Sequence, residues 1–564
     1  MKLEAAMIVM AALILVLQSA APFEQSQQAQ NAKASIEGFV VRAGTNEPVA
    51  RARVTVFRTA GPGGSPLQQA GPPQTIPPMT TDSQGHFVFR DLDPGSYSVT
   101  AQRNGFARQA YGERATGRPG APLTILAGQA LKDVVFRLVP AGTVGGRVTD
   151  STGEPIAGIS ITIGRFTYDP TGKRTFQPIN FARTDDRGEY RMYWITPGRY
   201  YVNASPASAF IGFRTPNSNE VVEPGYVPTW YPGTTDESST AAIELQAGAE
   251  LRTVDFTLTQ QPLFRIRGRV FDARTGQAAR NANVSVNPMK PAGGFGITPS
   301  SVNYNSANGT FEIRDVPPGS YWVRAINFAN GGPYSGDTAQ VPLEISNVDI
   351  ENVVLVLTPG FQIKGRIELE GGSLSTLPNI ERTRVFLTPL EPMPFGSPQD
   401  PIKPDGSFTI DNVHPGEYRI NLGMPQNTFI QSIRLGQTDV SSHVTILGPV
   451  SESLEILLST RGGRIDGLMV DKDRKPMQGI QAVLIPDRQR DRRDLFRFAT
   501  SDQTGHFTMN AIAPGDYKLF AWEDLEPGAY NDPDFLRKYE AVATPVQISE
   551  SSTSTVEVKV LSGN

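Results

Sequence analysis

Asp82-Ser83-Gln84-Gly85-His86-Phe87-Val88-Phe89-Arg90-Asp91-Leu92-Asp93-Pro94-Gly95-Ser96-Tyr97 is the stretch that decides the fold. Its frame returns four more times. Pro-Gly-x-Tyr recurs at Pro197-Gly198-Arg199-Tyr200, Pro318-Gly319-Ser320-Tyr321, Pro415-Gly416-Glu417-Tyr418 and Pro514-Gly515-Asp516-Tyr517. Another glycine stands ten residues before each turn glycine: Gly85, Gly188, Gly309, Gly406 and Gly505. That spacing never varies, and successive tyrosines lie 97 to 121 residues apart. A fixed internal distance at such a period marks one small domain copied in tandem.

Each part of the frame has a local reason. Asp82, Asp185 and Asp502 stand three places before Gly85, Gly188 and Gly505, where a carboxylate accepts from a turn backbone and glycine supplies a positive φ. Asn308-Gly309 and Asp405-Gly406 are hairpin pairs. A strand follows, with inward Phe87 and Phe89, Tyr190 and Met192, Phe311 and Ile313, Phe408 and Ile410, and Phe507 and Met509. The Pro-Gly pair predicts a type II turn. Alternation resumes as Tyr97-Val99-Ala101, Tyr200-Val202-Ala204, Tyr321-Val323-Ala325, Tyr418-Ile420-Leu422 and Tyr517-Leu519-Ala521. The tyrosine ring belongs to the core, with its hydroxyl bonded to backbone near the turn.

Upstream, each unit opens on an apolar strand holding Gly38, Gly146, Gly268, Gly365 or Gly467. Glycine inside a strand marks a bulge or a close backbone approach. A second alternating strand follows, as in Val54 and Val56 or Val284 and Val286. No helical period is sustained after residue 21. The chain therefore reads as all-β, with five tandem antiparallel β-sandwiches of six or seven strands. They span 34–139, 140–261, 262–359, 360–460 and 461–564, with short links at Pro140, Pro262, Pro359-Gly360 and Arg461-Gly462-Gly463. Links of that kind predict an elongated, semi-rigid array.

Composition agrees. The 564 residues include 54 Gly and 46 Pro, as many short strands and tight turns require. There is no Cys, and a unit of about 100 residues buries its own core without staples. A net charge of −4 argues against nucleic acid as a partner. Residues 1–21 read as a signal peptide or N-terminal anchor, with an apolar run from Met7 to Leu17; 22–33 form a Gln-rich linker. Pro22 after Ala21 disfavours cleavage there, so the uncleaved anchor is the alternative. The product is expected outside the cytoplasm, in the periplasm, at the cell surface or beyond. It touches membrane only where the N-terminal segment stays uncleaved.

The Gly-bearing strand, the Asp-x-x-Gly-x-Phe turn and the Pro-Gly-x-Tyr strand together resemble the carboxypeptidase regulatory-like domain, a transthyretin-like sandwich grouped with Cna B-type repeats and carbohydrate-binding-like folds. The resemblance runs from about 34 to 561. It implies the fold, and it implies non-catalytic modules of secreted and surface proteins. The Lys–Asn isopeptide bond of Cna B-type domains is not implied. Only Lys364 lies on a first strand, and 454–458 offers no Asn.

Catalytic chemistry finds little material. His86 and His506 follow the turn glycine, where other units carry Glu189, Thr310 and Ser407. His414 and Glu417 match HxxE, the start of a zinc-carboxypeptidase ligand set, but they lie at the Pro-Gly turn and lack a third ligand beyond His443. No Cys nucleophile, GxSxG elbow or phosphate-binding loop exists. Asp185-Asp186 and Asp532-Asp534 leave calcium as a minor reading without EF-hand spacing. The arginines of 487–497 alternate with acids and read as a solvated loop. No metal and no cofactor are expected.

The irregular parts carry the functional clue, because loops on a rigid scaffold are where binding concentrates. The connection between second and third strands expands at Thr59–Met79, Arg165–Phe181, Pro288–Ser301, Pro389–Pro404 and Pro486–Phe498. A second variable connection holds Phe210, Phe213, Tyr226, Trp230 and Tyr231 in repeat two, and Trp522, Tyr530, Phe535 and Tyr539 in repeat five. Tyr226, Trp230, Tyr231, Trp522 and Tyr530 are the candidate binding residues, as exposed platforms for sugar rings or a protein surface. The opposing reading has these rings cap sandwich ends or bury junctions. The expectation is a non-catalytic extracytoplasmic protein that binds glycan or another envelope polymer. The alternative is a spacer or adhesin-like stalk contacting another surface protein, with a metallocarboxypeptidase as the remote third.

Overall fold

The computed structural model describes residues 32–59, 76–114, 118, 120–206, 225–289, 301–328, 336–378, 380–391, 393 and 397–562. Residues 1–21, read above as a signal or anchor, most of the linker, Phe210, Phe213 and much of the expanded connections of repeats one and three lie outside these residues. The chain forms two compact units. One takes Met1–Pro140, Gly467–Ala482 and Ala499–Thr508, and the other takes Ala141–Asp466, Val483–Phe498 and Met509–Asn564.

Nearly all regular structure is strand. In repeat one, Ala34–Arg42 lies between His86–Leu92 and Ala130–Leu138. Facing it, Arg53–Arg58 pairs Gly95–Gln102, which also takes Gln109–Ala110 and Leu123–Ile125. Val40, Val54, Phe87, Tyr97 and Phe136 fill the space between the sheets. Repeats two, three and four pack the same way around Tyr200, Tyr321 and Tyr418. The first strand runs antiparallel to the strand after the turn glycine, but parallel to the closing strand in repeats one to four. In repeat two Glu250–Leu251 also pairs parallel with the first strand, and the remaining described strand pairs of repeats one to four are antiparallel.

That parallel pair explains the first-strand glycines. A Cβ on Gly38 would sit 1.9 Å from the Val134 carbonyl oxygen, and one on Gly146 or Gly268 would sit 2.1 Å from those of Val254 and Val353. The ladder register shifts there, between Ile36 and Gly38 and between Ile266 and Gly268. Close approach of the closing strand leaves no room for a side chain.

The turn aspartates act as expected: Asp82 Oδ1 accepts from the amides of Gln84 and His86 at 2.9 Å, and Asp185 and Asp502 repeat the pattern. The five tyrosine corners form as well. Tyr97, Tyr200, Tyr321, Tyr418 and Tyr517 donate to the carbonyls of Asp93, Thr196, Pro317, His414 and Ala513 at 2.5 to 2.9 Å. The type II turn is corrected. Gly95, Gly198, Gly319 and Gly515 sit at φ 148 to 155°, far from the value near 80° that a type II turn needs. The chain bends three residues before each proline instead. Asp91, Trp194, Asp315, Asn412 and Ala511 all adopt left-handed φ of 53 to 61°. In repeats one to four this bulge shifts the register against the first strand.

Contacts between repeats are not confined to successive ones. In the first unit, Gln503 exchanges two hydrogen bonds with the Thr124 backbone, at 3.1 and 3.3 Å. In the second, the Tyr168 amide donates to Pro527 at 3.0 Å, and Phe429 packs with Leu495 and Ala513.

Candidate functional site

The aromatic residues singled out by sequence belong mostly to the interior. Trp230 has no solvent exposure and packs with Phe166, Phe176 and Tyr201. Trp522 is 2% exposed, stacked on Phe520 at 5.2 Å with Phe535 and Tyr539 beside it. The expectation of an exposed strip around these two indoles is therefore corrected. Partner rings from the expanded connections cover them, and both indole N–H groups are buried without an acceptor. Tyr226 and Tyr231 lean half-buried on the core of repeat two. Tyr530 is half-buried against Phe498 at 5.2 Å, and burial pushes its hydroxyl pKa up.

A different patch on repeat two is open. Phe181 is 73% exposed, Trp194 64%, and Ile179 and Tyr193 52% each. The strand Ser160–Tyr168 forms a long hairpin with Arg174–Arg183, whose outer side carries Ile179 and Phe181. Next along the chain is Glu189–Ile195, where Tyr190 and Met192 turn inward. The bulge then breaks the alternation and leaves both Tyr193 and Trp194 outside. The two strands meet where Asn180, between Ile179 and Phe181, donates Nδ2 to the Tyr193 carbonyl at 3.4 Å. Trp194 holds φ 58°, a conformation strained for a bulky side chain.

Charge borders the patch. The Arg191 guanidinium lies 4.9 Å from the Tyr193 ring centre and pairs with Glu250, which also takes Arg252 at 2.6 Å. The Arg252 hydrogen bond, with help from Arg191, holds the Glu250 carboxyl below its usual range. Arg191 and Glu250 also line a cleft of about 360 Å3 over Gly145 and Gly146, with Arg147, Glu189 and Asp255. Repeat three has its counterpart, a cleft of about 710 Å3 over Gly268, where Arg267 bridges Glu312 and Glu351 at 2.8 and 2.6 Å. Such a surface offers ring faces and forked donors, suited to binding.

The signal for this patch was present in the repeat frame. The two residues before Leu92, Ile195, Val316, Val413 and Ile512 are Arg90-Asp91, Tyr193-Trp194, Arg314-Asp315, Asp411-Asn412 and Asn510-Ala511. Four units build the bulge without an aromatic residue; only repeat two places two there.

The histidines do not converge. His414 is buried, with Nδ1 3.0 Å from the Thr338 hydroxyl, while Glu417 is exposed. Burial lowers the His414 pKa. His86 meets Glu37 at 2.9 Å, and His443 and His506 are exposed. Among the described residues no group of three His, Cys, Asp or Glu is placed to hold a metal, and no helix is long and apolar enough to cross a membrane.

Residues 35–138 match the family model of the carboxypeptidase regulatory-like domain. Colossin-A of Dictyostelium discoideum is 21% identical over 388 residues, 62% of this chain; the chain spans about 3% of that relative's length. Among solved structures, the Bacillus anthracis TIE protein is 9% identical with a TM-score of 0.15, covering 75% of this chain and 73% of its own. The minor pilin GBS52 of Streptococcus agalactiae is 13% identical with a TM-score of 0.23, covering 41% and 97%. BcpA, the major pilin subunit of Bacillus cereus, is 10% identical with a TM-score of 0.13, covering 58% and 99%. Scores this low reach no further than a general likeness, and the carboxypeptidase regulatory-like match at residues 35–138 is the specific one.

Proposed function

We propose that this is a non-catalytic, extracytoplasmic interaction protein. Its five β-sandwich repeats act as scaffold, and the exposed corner of repeat two is the surface that meets another surface protein. One observation carries the reading: Trp194 is held at φ 58° with 64% exposure. Every repeat bends through a left-handed residue here, but the others carry Asp, Asn or Ala; a bulky side chain that the bend does not require, kept at a strained φ, marks a functional position. Large exposed aromatics with an arginine beside them are the composition of contact hot spots. A photo-crosslinking residue at Phe181, in the full chain within its native envelope, tests this. A discrete protein adduct, lost in Trp194→Asn, is expected. Labelling no different from that at Arg90, the equivalent polar corner of repeat one, would remove the basis for a contact surface.

A glycan or envelope polymer is the second reading, favoured by the ring faces of Tyr193 and Trp194 beside the charged cleft. A saturable fluorescence change against a polysaccharide panel, absent in Trp194→Asn, separates it from the first. The buried Trp230 and Trp522 take no part in either.

A further inference from the structure

We propose that Arg419 and Arg493 form a binding site for a small oxyanion, a phosphate, sulfate or carboxylate group. Arg419 lies on Gly416–Leu422, on the side opposite the core residues Tyr418 and Ile420. Arg493 opens the short turn Arg493–Leu495. Leu495 packs on Phe429, and Arg492 Nη2 donates to the Ile430 carbonyl at 3.0 Å, so this loop of repeat five sits on repeat four. The turn after Tyr168 in repeat two reaches the same place, with Gly172 against the Asn531 carbonyl.

Both guanidiniums are half-buried, and the Nε of each is buried without a partner. Arg493 gives Nη2 to the Asn531 carbonyl at 3.1 Å and lies over Phe496 at 4.7 Å. The Arg419 side chain makes no hydrogen bond or ion pair among the described residues. Burial holds both below the usual arginine range, and for Arg493 the positive charge of Arg419 adds to it. The charged or titratable groups facing them are Asp169, Asp491, Asp494 and Tyr530. None closes the gap. Asp494 is engaged by Arg492 at 2.9 and 2.5 Å. Asp169 Oδ1 accepts from the Thr171 amide and hydroxyl and the Lys173 amide within its own turn. Asp491 is exposed. Two like charges drawn out of water without a contacting anion are unfavourable, and an oxyanion receives forked guanidinium donors well.

Thermal unfolding of the full chain at constant ionic strength and pH 7 tests the site. Inorganic phosphate or sulfate should raise the midpoint by about 2–4 °C over chloride, saturably. Arg419→Met and Arg493→Met should each erase that increment, while Arg103→Met keeps it. Because Arg493 also holds the Asn531 carbonyl, its variant risks misfolding; the Arg419 side chain bonds no described residue, so its variant carries the test alone if need be. A polygalacturonate arm separates sources: an increment from the polymer alone, also lost in Arg419→Met, assigns the oxyanion to a polymer carboxylate. Equal midpoints in all four solutions, or an increment that survives Arg419→Met, overturns the site. Neither result bears on the corner of repeat two.

Discussion

The hydroxyl of Tyr418 donates to the carbonyl of His414 at 2.8 Å, across the Pro415-Gly416 pair. The same bond recurs at Tyr97, Tyr200, Tyr321 and Tyr517. The ring fills the core and the hydroxyl pins the bend. Tyr418→Phe keeps the ring and loses the bond. It should cost about 1 kcal/mol, read by denaturant unfolding, with binding at repeat two unchanged. No change in stability would remove the hydroxyl from the account of the turn.

Burial pushes the Tyr321 and Tyr517 hydroxyls up to about 12. The folded pKa lies above the unfolded value near 10. The stability contribution is therefore complete below pH 10 and is lost as pH rises toward 12. Unfolding followed between pH 9 and 12 should show a steep alkaline limb, shallower in Tyr321→Phe and Tyr517→Phe. A parent and variant with superimposable limbs would mean that these hydroxyls titrate alike folded and unfolded.

These tyrosines were legible because every determinant lies within a few residues. Asp82 caps a turn that ends at His86, and Tyr97 bonds Asp93. The first-strand glycines were half legible. Gly38 announced a close approach, but its partner Val134 is 96 residues away, and nothing local says that strand arrives parallel. Trp230 and Trp522 were misplaced because a variable connection rich in rings does not reveal which rings are covered. Phe166 and Phe176, which cover Trp230, come from a different connection. Trp194 is not legible from period-two alternation, because the bulge at 193–194 resets which side chains face out.

Trp194→Asn tests strain and contact together. A bulky residue pays a penalty in the left-handed region that Asn largely escapes. With the indole 64% exposed, little burial is lost. Stability should rise by about 1 kcal/mol while partner capture falls. A variant that is less stable and equally competent would show Trp194 to be an ordinary structural residue.

Arg497 stabilises the bulge of repeat five. Its Nη2 and Nε donate to the Ala511 carbonyl at 2.8 and 3.2 Å, and Nη1 reaches the carbonyls of Asp494 and Phe496. Burial lowers its pKa, yet these oxygens satisfy the fork. Ala511 sits at φ 53° without the side-chain help that Asp or Asn would give. Arg497→Met should cost about 2–4 kcal/mol by leaving carbonyls unpaired. Ala511→Gly should gain about 0.5–1 kcal/mol. Opposite signs in the two melting curves are the expected pattern, and a mild Arg497→Met phenotype would contradict it.

Glu540 supplies the acid limb. Arg490 and Lys518 both hydrogen-bond its carboxylate, Arg490 with the larger effect, and hold its pKa down to about 2. Lys518 also reaches Asp487 at 3.3 Å, so the pair is part of a four-charge cluster. The folded pKa lies below the unfolded one, so the contribution is complete above about pH 4.5 and is lost as pH falls through 2. With the carboxylate side chain 25% exposed, screening reduces the effect to about 2 kcal/mol. Other carboxylates lie below their usual range too, among them Glu312 and Glu370, so the parent curve alone does not isolate this one. The difference between parent and Glu540→Gln does: it should be largest at pH 5 to 7 and shrink toward pH 2. A difference independent of pH would assign the loss to packing around Lys518 instead of charge.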